Sequence, residues 1–415
     1  MTRTMPISFN GPRLSPKKMV PIATIRAVPT ADQIAYAVPT AMDLRHWARS
    51  TNETTYPTTT MTDGHSREKP SLTFSAVVPS TSATMAPASR MNAIGSVSPL
   101  AAGQPHGSQA VHPLLHRPIV AAVERAVSAD LGRVWSVAGF TDLTDRASHP
   151  AGIYRSPSLS VFAKLDPAGA SQFAAEVRGL ELLTRLSGVA TPVPIAVVPV
   201  PGGAVLLTRA IAETPAAART PDQWRSIGRV LGQVHLCHGP AFGLDFDGYF
   251  GPLRQDNRPM ASWSSFYAER RLLPCLRSAV DSGRLPPWLA DGVERVAGRV
   301  PLLAGPEPRP TLLHGDAQQN NFLTASSGAV LLDACPYFGH PEVDLALLDY
   351  FEPVPGEVFD AYREVSPIDP GFWDRRELWR LFGYLAVIAV AGLTDFGRPY
   401  LGRIADAFER GLAFV

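Results

Sequence analysis

His314-Gly315-Asp316, Asn321 five residues beyond Asp316, and Asp333 at the end of the apolar run Gly328–Leu332 form a set of oxygen donors with the spacing that phosphoryl transfer needs. Asp316 is placed to accept the proton of an attacking hydroxyl. The amide oxygen of Asn321 and the carboxylate of Asp333 are hard ligands of the kind that hold Mg²⁺ against phosphate oxygens. Mg²⁺ keeps several of its waters, so two protein oxygens suffice. An isolated Gly-Asp reads as a turn residue capping local amides. The combination of His314, Asp316, Asn321 and Asp333 in this order favours chemistry over capping. His314 is expected to brace the loop by hydrogen bonding to backbone, and Asp344 to open a helix and steady the same loop.

Two further residues belong to this chemistry. Lys164 lies near the end of the strand-like run Ser160–Leu165, and Glu176 follows twelve residues later near the start of a helix. A lysine so placed reaches the α- and β-phosphates of ATP, and the glutamate holds it there. The turn between Gly139 and Gly152 should cover the phosphates, with Thr141, Arg146 and Ser148 as candidate donors and His149 as a packed or turn histidine. That turn carries no Gly-x-Gly-x-x-Gly pattern. Adenine is expected against the hinge near Leu207–Ala210, with Leu207 and Arg209 as its contacts.

The elements that must position these residues are legible from periodicity. Val120, Val123, Val127 and Leu131 have helical spacing, and 137–155 reads as two strands joined by a turn. Phe173, Val177, Leu180 and Leu183 share one face of a helix from Ala170 to Leu186. Strand-like runs follow at Pro194–Val198 and Ala204–Thr208. From Pro221 the chain turns helical, with further helices expected at Ser262–Ser278, Pro287–Val300, Val343–Asp349 and from Phe372 onward. A small strand-rich lobe over 113–210 and a helical lobe over 211–415, with the reactive loop in the second, make an α+β, two-lobed, protein-kinase-like fold. The apolar run Leu385–Leu393 is too short to span a bilayer and reads as a buried helix.

Residues 1–112 differ in kind. Ser, Thr, Pro and Ala dominate, acidic residues are few, and no apolar period persists. Such a stretch cannot bury enough surface to offset its ordering entropy, so a disordered tail is expected there. A weakly transit-peptide-like segment and an extension upstream of a later start are the other readings. The net charge of +1 gives no electrostatic case for nucleic acid or an anionic membrane. Three widely spaced cysteines, Cys237, Cys275 and Cys335, point to buried thiols in a reducing, cytoplasmic setting. The oligomeric state is left open.

In the order of its motifs the chain resembles the fructosamine kinase (ketosamine-3-kinase) family, within the group that includes aminoglycoside and choline phosphotransferases. The resemblance runs from about Val120 to Leu412. It rests on His314–Asn321, on Leu332–Asp333, and on Gly339-His340 followed by Glu342 and Asp344-Leu345-Ala346. Further matching blocks are Phe242-Gly243, Gly251 to Gln255 and Asn257, Trp263 to Phe266, Arg271-Leu272, Phe162-Ala163-Lys164 and Phe173 to Glu176. The resemblance implies an ATP- and Mg²⁺-dependent transfer of phosphate to a hydroxyl of a ketosamine or related sugar. The chain departs from the family at Gln318, where a Trp is usual, and at Gly383–Ala389, where a His/Asn-rich helix is usual. Both departures lie on the expected acceptor side. They keep open an aminoglycoside-like or natural-product acceptor and, as a third reading, a nucleotide-binding pseudokinase scaffold.

Overall fold

The computed structural model describes residues 112–413 except Asp145, Arg146 and Ser148. The expected tail over 1–111 and the phosphate-donor expectations at Arg146 and Ser148 therefore lie outside the described residues.

Helix α1 (Arg117–Leu131) opens the small lobe. Ile119, Val123 and Val127 recur every four residues, so one stripe of α1 is buried and each large side chain on it contributes roughly 1.5–3 kcal/mol. Strands β1 (Gly139–Asp142), β2 (Ala151–Arg155) and β3 (Val161–Asp166) follow, then helix α2 (Ala170–Ser187), β4 (Pro194–Val200) and β5 (Gly203–Arg209). The five strands pair antiparallel in the order β1-β2-β3-β5-β4. Because strand side chains alternate, β3 sends Val161, Ala163 and Leu165 into the core shared with α1. Lys164 is left on the opposite face, towards α2.

The second lobe begins with α3 (Pro221–His235), whose start is set by a capping box between Thr220 and Gln223. A hairpin, β6 (Gly248–Phe250) with β7 (Leu253–Gln255), precedes α4 (Trp263–Tyr267), α5 (Leu273–Asp281) and α6 (Pro287–Leu303). Three short strands, β8 (Thr311–Leu312), β9 (Phe322–Ala325) and β10 (Gly328–Leu331), frame the loop that carries Asp316. After β11 (Phe338–Gly339) come α7 (Pro341–Leu347), α8 (Gly356–Arg363), α9 (Phe372–Ala391) and α10 (Pro399–Ala413). The architecture is the expected α+β, two-lobed fold. The run around Leu385 is buried within α9, and among the described residues no helix is long and apolar enough to cross a membrane.

The structure breaks one expected helix. Ser262–Ser278 is not continuous: a π-helical turn over Ala268–Leu272 separates α4 from α5. Pro274 has no N–H to give the carbonyl of Arg270, and the Arg271 guanidinium donates to that carbonyl at 3.0 Å instead. Arg271 also donates to Asn257 Oδ1 at 2.5 Å and lies 3.9 Å from the centre of the Tyr337 ring. Two blocks singled out in the sequence, around Asn257 and Arg271, thus meet as one buried node. The β6–β7 hairpin and α8 are additions that short, weakly periodic stretches did not announce.

Candidate active site

The loop between β8 and β9 is held from beneath by Asp344 of α7. This fully buried carboxylate accepts from the backbone N–H groups of His314 at 2.6 Å and Gly315 at 3.0 Å. It also contacts His235 Nε2 at 3.1 Å, and His235 Nδ1 is 2.8 Å from the Tyr362 hydroxyl. Gly315 sits at φ +85°, and a Cβ there would fall 2.1 Å from the Cys335 carbonyl oxygen, so no other residue fits without a shift. His314 ties the two halves of the site together. Its Nε2 is 2.8 Å from the Leu332 carbonyl, and its Nδ1 accepts from the Asp316 N–H at 3.3 Å. Burial pushes the His314 pKa down, and a neutral ring protonated at Nε2 satisfies both contacts.

Asp316 and Asn321 are joined directly. The Asn321 amide donates to the Asp316 carbonyl at 2.8 Å and to Asp316 Oδ2 at 3.1 Å. Gln318 donates to the same Oδ2 at 3.3 Å. Burial pushes the Asp316 carboxyl up to about 7, against the pull of the Gln318 and Asn321 hydrogen bonds. Asn321 Oδ1 is buried with no hydrogen-bond partner. A buried oxygen left in that state is costly, and a hard cation supplies the missing partner.

Asp333 follows β10 and is the one non-glycine residue with positive φ, +48°, among the described residues. That left-handed turn swings its carboxylate into the cleft, and a strained backbone of this sort clusters at functional positions. Lys164 Nζ lies 2.8 Å from Asp333 Oδ1 and 2.8 Å from Glu176 Oε2. Burial opposes the charge on Lys164, but Asp333 and Glu176 outweigh it and hold the ammonium above its ordinary value. Burial likewise opposes the charge on Asp333, and Lys164 outweighs it and keeps that carboxyl below the usual range. On Glu176 burial wins and the carboxyl is raised. One ammonium between two carboxylates leaves room for a further cation at Asp333. With Asn321 Oδ1, the donor set is one amide oxygen and one carboxylate, which fits Mg²⁺.

Five expected residues, Lys164, Glu176, Asp316, Asn321 and Asp333, therefore meet at one cleft, and all but Asn321 line a cavity of about 310 Å³. His149, read from sequence as a packed or turn residue, also lines it. The hydroxyl of Thr141 accepts from Arg155 on the neighbouring strand. Leu207 and Arg209 are placed differently from the expectation. Strand alternation turns Leu207 into the core under α1, and Arg209 reaches Asp130 of α1 at 3.3 Å. Leu206 and Thr208 face the cleft instead, beside Phe162, Leu180 and Leu332. A second cluster, Ile153, Phe162, Leu323, Val330 and Leu332 with Ala210 and Ile211 against it, joins the sheet to the β9–β10 hairpin. The signal that could have found Leu206 and Thr208 was the parity of β5, once Lys164 had set which face of the paired strand looks into the cleft.

Comparison with known proteins bears on this site. Residues 119–413 match the family described as fructosamine kinase. A protein of Klebsiella aerogenes named "Probable ketoamine kinase" is 32% identical over 214 residues, 51% of this chain and 73% of that protein. The chloroplastic protein-ribulosamine 3-kinase of Oryza sativa subsp. japonica is 28% identical over 258 residues, 61% of this chain and 74% of the rice protein. A crystal structure from Thermobifida fusca, assigned as a fructosamine-3-kinase, superposes with a TM-score of 0.61 at 32% identity. That superposition covers 70% of this chain and 99% of the T. fusca chain.

Proposed function

The chain belongs to the fructosamine kinase family, and on that premise we propose that it transfers the γ-phosphoryl group of ATP, with Mg²⁺, to a hydroxyl of a ketosamine or related sugar amine. The observation that carries this reading is the pairing of Asp316 with the amide nitrogen of Asn321, whose amide oxygen is buried and unpartnered, opposite an Asp333 held by Lys164. Asn321 Oδ1 and Asp333 would hold the Mg²⁺. When bound, the ion neutralises phosphate oxygens and aligns the reacting groups.

The chain's own residues do the rest. Asp316 accepts the proton of the acceptor hydroxyl as its oxygen bonds to the γ-phosphorus. The bond from that phosphorus to the β–γ bridging oxygen breaks, and ADP leaves with the electron pair. Lys164 would leave Asp333 for the α- and β-phosphates, with Glu176 fixing its direction. The purine would lie against the hinge after β5, between Phe162 and Leu332, near Leu206 and Thr208. Leu207 and Arg209 then contribute through the backbone of that hinge.

The test is phosphorylation of fructosamines and ribulosamines by the full chain with Mg·ATP, followed by ³¹P NMR of the products. A new phosphomonoester in one-to-one ratio with ADP is expected. Asp316→Asn should lower kcat by roughly 10²–10⁴-fold with nucleotide binding retained. Near-normal turnover in that variant sinks the role given to Asp316, and no phosphomonoester from any ketosamine sinks the reading as a whole.

A further inference from the structure

The cavity beside Asp316 has two unlike walls. Its charged and imidazole groups, His149, Lys164, Glu176, Asp316 and Asp333, all come from the small lobe, α2 and the two reactive turns. The apolar part of the lining is Phe246, Phe250, Phe351, Ala386, Val387 and Val390, with Gln172, Tyr249, Gln318 and Tyr350 bordering the same cavity. Ala386 and Val390 are four residues apart on α9, so they stack on one face of the helix, with Val387 beside them. This wall is fixed by packing. The Phe250 ring meets Phe382 of α9 edge-on at 5.1 Å, and Phe351 meets Tyr350 edge-on at 4.6 Å. α9 presents no charged, amide or hydroxyl side chain to the cavity among the described residues. Sugar hydroxyls placed against the α9 side chains would lose their hydrogen bonds to water and find no replacement on that helix.

We propose that the acceptor is a ketosamine whose amine carries an apolar or aromatic substituent, with the sugar at Asp316 and the substituent on the Phe250–Phe351–Val387 wall. The proposal rests on the kinase reading above and adds to it the chemistry of the part of the acceptor that does not react. Lys164 already pairs with Glu176 and Asp333, so Asp316 is the cavity carboxylate with no ammonium on it. An acidic or strongly hydrated substituent gains nothing on the far side. An apolar pocket discriminates by roughly 10–200-fold per methylene it can bury, which makes the preference measurable.

The experiment is a matched series of 1-amino-1-deoxyfructose derivatives bearing N-(2-hydroxyethyl), N-butyl and N-benzyl groups, assayed with the full chain and saturating Mg·ATP. kcat/KM should rise at least about tenfold from hydroxyethyl to benzyl, mainly through KM. Val387→Asn and Phe250→Ser should each compress that ratio towards one. Phe250 is half-buried on the β6–β7 hairpin and not inside α9, so its variant reports even if the substitution inside α9 impairs folding. A flat series, a preference for hydroxyethyl, or a ratio unmoved in the folded variants overturns the apolar seat and leaves the kinase reading standing. Absence of phosphorylated product across the whole series overturns the kinase reading, and the seat with it.

Discussion

Asn321 does two jobs with one amide. Its nitrogen positions Asp316, and its oxygen is left buried and unsatisfied. Asn321→Leu keeps the volume and loses both functions, so kcat/KM should fall by at least about 10²-fold, with a higher Mg²⁺ concentration at half-maximal rate. A magnesium titration of initial rates checks this. Asp344 works differently, because among the described residues its carboxylate hydrogen-bonds to loop backbone and His235. Asp344→Ala leaves two buried N–H groups and an imidazole without their acceptor. The expected loss is about 3–5 kcal/mol of stability, measured by urea unfolding, with activity lost in parallel. The identities and spacing of these residues were readable in the chain, since the loop is short and local. That Asn321 keeps one oxygen free was not readable, because it depends on what packs above it.

At the scale of elements, α7 and α2 hold the site from two sides. The first turn of α7 is capped by His340, whose Nδ1 accepts from the Glu342 N–H at 3.2 Å. Burial against Trp263 and Trp379 lowers the His340 pKa to about 4, against the opposing pull of the Glu342 carboxylate. As pH falls through 6.5 the unfolded chain takes up this proton first, so stability drops progressively down to about pH 4 and is fully present above the unfolded value. The contribution is up to about 3 kcal/mol, at about 1.4 kcal/mol per pKa unit. His340→Asn, which caps without titrating, should flatten that part of the stability–pH curve, read as denaturant midpoints from pH 4 to 7.5. Helix α2 approaches the turn after Asp333 so closely that a Cβ on Gly179 would sit 2.7 Å from Pro336 Cδ and 3.0 Å from the Ala334 carbonyl. Gly179→Val should cost about 1–3 kcal/mol and raise the KM for ATP, because displacing α2 carries Glu176 away from Lys164. Helices with a full apolar stripe, such as α1 and α2, were legible from period alone. The Ser262–Ser278 helix was not, because Pro274 and the buried Arg271 imposed a π turn that the apolar pattern ran straight through.

At the scale of the whole molecule, the last strand of the small sheet ends at Arg209 and the next long helix begins at Pro221. The apolar cluster of Ile153, Phe162, Leu323, Val330 and Leu332 spans both parts and sets the depth of the cleft. The boundary expected near residue 112 has a direct test. Limited proteolysis of the full chain should then give a stable product beginning near residue 112, identified by its intact mass and retaining kinase activity. Stable cleavage only within 113–413 would count against the division.

The sequence by itself determined the reactive loop, the lysine and glutamate that precede it, and the order of strands and helices that carries them. These depend on spacing and period over a few residues, which each stretch of chain sets for itself. Tertiary structure decided which face of β5 looks into the cleft, turning the side chains of Leu206 and Thr208 there and that of Leu207 into the core under α1. It also decided that Lys164 meets Asp333 across 169 residues of chain, and that one wall of the cavity is apolar. Those outcomes arise where elements distant in sequence pack together, and the side chains that meet there are chosen by the fit between surfaces.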